Sequence, residues 1–196
     1  MPDPLEVVIR GLTLGGEVIA GITESQRGAP TPCPDVDVEH LVSHLVAGLQ
    51  WFAGLPACGG TDPLSTPDPD LSGGPLLEPY VEAAEAVWHA WSPGLLEHTF
   101  DTPWGATGGW EIAAFMAVEV LGHLWDIAVA TGRPGFPQDD LAEQGLAIAR
   151  ELDEETLRSP SMMAQPVEVP PSAPAADRLA GFLGRDPADP LGGQAP

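Results

Sequence analysis

Two side chains that ordinarily stay in water fall on the apolar face of one helix in this chain. Between Trp110 and Ala130, the residues Ile112, Phe115, Met116, Val120, Ile127 and Ala130 recur at the three- and four-residue steps of a helical stripe. The same steps land on Glu119 and His123, so a carboxylate and an imidazole one turn apart are turned toward the core. A buried carboxylate without a partner is costly. Four-residue spacing lets both side chains converge on one point. Two chemistries satisfy that arrangement: a buried Glu–His hydrogen bond, or a shared metal ion. Gly122, between them, leaves room for another helix to come close.

A second apolar stripe favours the metal. Val38, Leu41, Val42, Leu45, Leu49 and Phe52 define a helix from about Asp35 or Asp37, either of which can cap it, to about Ala53. His44 follows Leu41 by three and precedes Gly48 by four, at the edge of the inward stripe. If the two helices face one another, His44, Glu119 and His123 form a set of two imidazoles and one carboxylate. Such a set suits Zn²⁺, with Ni, Fe or Mn as alternatives, and leaves coordination positions open. His40 faces a more polar side beside Glu39 and reads as solvated, while His89 and His98 have no partner at ligand spacing. Asp126, three residues after His123, either holds that ligand from behind or carries charge at the surface. Cys33, among prolines, reads as a small buried apolar group. Trp51, Trp104 and Trp125 read as core side chains rather than a substrate pocket.

The elements that must place these residues are helices. Further helical stripes run from about Leu5 to Ile22, Leu77 to Trp91, Gly109 to Thr131 and Asp139 or Asp140 to Glu154, with a short one near Ala176 to Leu183. Arg27–Pro34 and Gly54–Pro75 are rich in Pro and Gly and read as connections, and residues 95–108 as irregular or briefly extended. Prolines at 160, 166, 170, 171 and 174 imply an extended run over the body. The expected fold is all-α, a four-helix bundle with an extra short helix and an extended Pro-rich C-terminal tail. Residues 1–185 are expected to form one domain and 186–196 a disordered end.

Composition narrows the partners. The 196 residues include 29 Asp and Glu against 7 Arg, with no Lys, for a net charge of −22, which argues against nucleic acid and anionic membranes as partners. Without lysine there is no Schiff base and no Walker-type phosphate loop. No run of about 18 uninterrupted apolar residues is present, so no membrane span is expected. The charged N-terminus does not resemble a secretory signal, and Cys33 and Cys58 are expected to be reduced thiols in a cytoplasmic protein.

Three strings together resemble one superfamily. They are Thr31-Pro-Cys-Pro34 with Glu39-His-Leu-Val-Ser-His44-Leu-Val46; Glu119-Val-Leu-Gly-His123-Leu-Trp-Asp126 through Thr131-Gly132; and Pro166-Val-Glu-Val-Pro170 with Asp177-Arg178 through Arg185-Asp-Pro187. In this order they are similar to the DinB-like and mycothiol-dependent maleylpyruvate isomerase N-terminal superfamily, in its small actinobacterial metal-binding branch. The resemblance implies a four-helix bundle holding a divalent metal through His44, Glu119 and His123. It further implies chemistry with a small-molecule thiol, mycothiol, on a small electrophilic substrate, as a transferase or isomerase. Asp35-Val36 stands where relatives carry a Gly-Trp pair, and the further C-terminal domain of the full isomerase is not seen, so its specific activity is not implied. The alternative is a non-catalytic metal- or ligand-binding protein of the same fold, and the acidic charge and Pro-rich tail suit a homodimer or another partner. An unmetallated scaffold fits the intact triad least.

Overall fold

The structure is a computed structural model that describes residues 1–58, 67–102, 105–133, 136–158 and 163–192. Four long helices form the bundle: α1 (Pro4–Ala20), α2 (Val38–Cys58), α3 (Leu77–Ala90) and α4 (Gly109–Ala130). Around the bundle α1 packs on α4 and α3, and α2 on α3 and α4. Helix α5 (Asp139–Ala149) closes over α4 and α1, and α7 (Ala175–Phe182) lies on α5 and α4. Between α5 and α7 sits one helical turn, α6 (Glu154–Leu157). The fold is thus all-α, with a single two-stranded hairpin among the described residues.

Local chemistry accounts for the helix ends. Asp3 accepts from the backbone N–H of Leu5 at 2.9 Å and Pro4 opens the first turn of α1. Its inward face is Val7, Val8, Leu12, Val18 and Ile19, with Gly11 and Gly15 seated against Val120 and Leu124 of α4. Asp37, not Asp35, caps α2, accepting from His40 N at 2.9 Å, while Asp35 takes a left-handed turn (φ 61°) just before it. Phe52 of α2 stacks on Trp91 with ring centroids 4.2 Å apart, and Trp91 Nε1 donates to the Phe52 carbonyl at 2.8 Å.

The stretch expected to be irregular or briefly extended is more ordered than that. Strands β1 (Thr99–Thr102) and β2 (Gly105–Gly108) pair antiparallel, Thr99 opposite Gly108, and bury Phe100 against Trp91. Helix α5 ends at Ala149, earlier than expected, because the chain turns and re-enters as α6 to drop Leu157 into the core. The extended run is tied to α7 where Val167 N donates to the Gly181 carbonyl at 2.9 Å. Of the end expected to be disordered, 186–192 form turns, with Asp189 N on the Asp186 carbonyl at 3.2 Å, and 193–196 lie outside the described residues.

Helix α4 carries the core. At 22 residues and mean hydropathy 1.6 it is long and apolar enough to cross a bilayer by length and composition, although 78% of its most apolar stretch is buried inside the molecule. Its charged and polar interruptions are the residues of interest.

Candidate metal centre

Helix α4 presents Glu119, His123 and Asp126 on successive turns toward α2 and the C-terminal segment. Glu119 Oε2 lies 2.8 Å from His123 Nε2. From α2, the His44 ring meets the His123 ring edge-on, centroids 5.2 Å apart at 88°. One ligating atom from each of His44, Glu119 and His123 falls within 4.8 Å of the others. The three residues that sequence reasoning singled out are therefore brought together.

The site has a closed and an open side. His123 is 9% exposed, and Asp126 is fully buried. The His44 side chain, by contrast, is 51% exposed and its Nδ1 lies 3.6 Å from Asp68 Oδ2.

Asp126 is the buried carboxylate behind His123, not a surface charge. Its Oδ2 lies 3.2 Å from His123 Nδ1 and accepts from the Cys33 thiol at 3.3 Å. Arg185, from beyond α7, donates through Nε to Oδ1 at 3.1 Å and through Nη2 to Oδ2 at 2.7 Å. Burial alone would raise the Asp126 carboxyl; the Arg185 charge and the bonds from His123 and Arg185 outweigh it and hold it at about 2. An ionised carboxylate only accepts, so His123 Nδ1 carries a hydrogen. Burial likewise disfavours a charged His123, but Glu119 first, then Asp126 and Cys33, raise it well above its ordinary value. Glu119 is lowered, its burial outweighed by His123, His44 and Arg185.

These observations test whether a cation fits. With Nδ1 committed to Asp126, Nε2 is the ring atom turned to Glu119 at 2.8 Å, and the raised His123 and lowered Glu119 both favour a shared proton there. A buried carboxylate and imidazole clamped on one proton, with a second imidazole beside them, offer one O and two N donors where a divalent ion can replace the proton. The set fits. A second cluster, Cys33, His123 and Asp126, is also within 4.8 Å, but both Asp126 oxygens already serve Arg185.

Other expected residues lie elsewhere. His40 is exposed and bonded to Asp37 through Nδ1 at 2.7 Å, and His89 and His98 are exposed. Trp51 packs half-buried against the core, Trp125 is buried with Ala142, Ala175, Ala176 and Ala180, and Trp104 lies outside the described residues. Cys33 is a free, half-buried thiol that packs against the apolar core and also donates to Asp126, and the side chain of Cys58 lies outside the described residues. Sequence reasoning missed Arg185. The available signal was a buried Asp126 needing a cation in a chain with only 7 basic residues.

The model of the mycothiol maleylpyruvate isomerase N-terminal domain matches residues 13–128. Two uncharacterized proteins, from two strains of Mycobacterium tuberculosis, are each 33% identical over 186 residues, 93% of this chain and 98% of theirs. Crystal structures of the mycothiol-dependent maleylpyruvate isomerase and of a histidine-to-alanine mutant of it superpose with TM-scores of 0.54 and 0.55. Both are 15% identical and cover 75% of this chain and 68% of the solved one, a likeness of fold.

Proposed function

This chain belongs to the mycothiol maleylpyruvate isomerase N-terminal domain family, and from that premise we propose that it binds a divalent cation, Zn²⁺ foremost, through His44, Glu119 and His123. With the cation it joins a small thiol, mycothiol in the family's name, to a small electrophile as a transferase or isomerase in the cytoplasm. The observation that carries this reading is the meeting of the three donors within 4.8 Å. A bound divalent ion would supply Lewis acidity, holding a thiol in its nucleophilic form near neutral pH.

The chain's own residues do the rest. Glu119 contributes negative charge to a half-buried site, where it attracts a cation more strongly than in water. His123 offers Nε2 while its Nδ1 hydrogen is held by Asp126. The packed faces of α2 and α4 exclude water behind the ring, and the exposed His44 marks the side from which small molecules arrive.

Elemental analysis of the purified protein should find about one divalent metal per chain, and His123→Ala should lose at least 90% of it while remaining helical. Wild-type protein should also consume mycothiol with an electrophile such as a maleyl acid or an epoxide. Metal-free wild-type protein, or a His123→Ala variant that keeps its metal, overturns the site. Metal binding without turnover across the panel leaves the family's fold as a non-catalytic metal or ligand binder instead.

A further inference from the structure

We infer that Arg185, delivered by the turn that closes α7, is a positioning residue for the cation: it grips the Asp126 carboxylate, and Asp126 so held aims His123 Nε2 at Glu119 and His44. The inference rests on the cation-binding reading above and extends it to a residue well past position 128, where the family match ends.

The grip is two-pronged. Nε reaches Oδ1 at 3.1 Å and Nη2 reaches Oδ2 at 2.7 Å, so both the position and the plane of the carboxylate are set. A single-point cation would leave the plane free to turn. Oδ2 is also the atom 3.2 Å from His123 Nδ1, so rotating the carboxylate rotates the acceptor that holds the ring. The remaining donor, Nη1, is satisfied by the Leu183 carbonyl at 3.0 Å and Met163 Sδ at 3.4 Å, which leaves the guanidinium no slack.

Backbone geometry delivers this side chain. Helix α7 closes with Gly184 N on the Gly181 carbonyl and Arg185 N on the Ala180 carbonyl, the paired bonds of a Schellman turn. Gly184 sits at φ 89°, and a Cβ there would lie 2.6 Å from the Ala164 Cβ, so both conformation and space require glycine. On the receiving helix, a Cβ at Gly122 would lie 3.1 Å from Leu183 Cδ1 and 3.7 Å from Arg185 Nη2. The room that Gly122 leaves beside His123 is thus filled by the turn after α7, not by a helix. A pair serving only to pin the tail would not need to share an oxygen with a ligand's ring.

Cobalt(II) is the probe, added to full-length wild type, Arg185→Lys, Arg185→Met, Asp126→Asn and the Arg185→Met/Asp126→Asn pair. Affinity is read by chelator competition and ligand geometry by the visible spectrum. In parallel, ring ¹⁵N shifts of His123 are read in metal-free protein at alkaline pH. Arg185→Met and Asp126→Asn should bind about 10- to 100-fold more weakly, with altered spectra and loss of the Nδ1–H ring form, and Arg185→Lys should fall between. The double variant removes the unpaired buried charge, so its melting temperature should recover while its affinity stays low. Affinities within twofold of wild type with unchanged ring shifts overturn the inference, as does affinity that recovers in step with stability in the double variant. If wild type takes up no cobalt, the cation reading falls and the ring shifts alone decide whether Arg185 sets the ring.

Discussion

His123 is held from both edges, by Glu119 at Nε2 and by Asp126 at Nδ1, at 2.8 and 3.2 Å. Both carboxylates favour the doubly protonated ring, which is why its pKa is raised well above 6.5. In metal-free protein the stability from that charged ring is therefore fully present below pH 6.5 and is lost as pH rises through the raised value. A cation must displace the Nε2 proton, so the sign reverses for binding: affinity grows with pH up to that value, by at most about tenfold per unit for one proton. Melting curves from pH 6 to 10 should thus fall with pH in chelator and stay flatter with metal. A metal affinity independent of pH over that span would show that no proton is displaced. The three donors were legible as residue types at helical spacing; the apolar packing of Cys33 was legible too, but not its bond to Asp126, because neighbouring prolines say nothing about what faces a thiol across the bundle.

Helices placed those side chains, and their packing sets how rigidly. Eight positions past His44 on α2, Phe52 is fully buried and stacked on Trp91. Phe52→Ala should cost about 3–5 kcal/mol in denaturant unfolding; a loss below about 1 kcal/mol would mean the α2–α3 seam collapses around the gap. The stripes of α1 to α3 were readable because each buries one face over several turns, and α4 because it is apolar and buried nearly all round. The hairpin was not, since four-residue strands with Thr and Gly hold little alternation and owe their pairing to Phe100 finding Trp91. Similarly, the end of α5 depends on Leu157 reaching the core, and the tail is pinned by Arg158, which donates to the Ala164 and Phe182 carbonyls at 2.8 Å and lies over the Phe182 ring.

Across the whole molecule, a net charge of −22 means the folded state gathers acidic groups that the unfolded chain keeps farther apart. Exposed pairs such as Arg178–Glu143 offset little of this. Raising sodium chloride from 0.01 to 0.5 M shortens the screening length from about 30 Å to a few ångström, so the melting temperature should rise by several degrees. A melting temperature that drops with salt would mean that attractive pairs dominate. Alone, the sequence determined the helical class, the four long stripes, and that Glu119 and His123 share one face of α4, because burial periodicity is a local property that each helix carries in its own residues. Only the tertiary structure decided that Asp126 is buried rather than exposed, that Cys33 and Arg185 join it, and that a turn fills the space beside Gly122. Those facts depend on segments far apart in the chain arriving at one place, and no periodicity within either segment records the other.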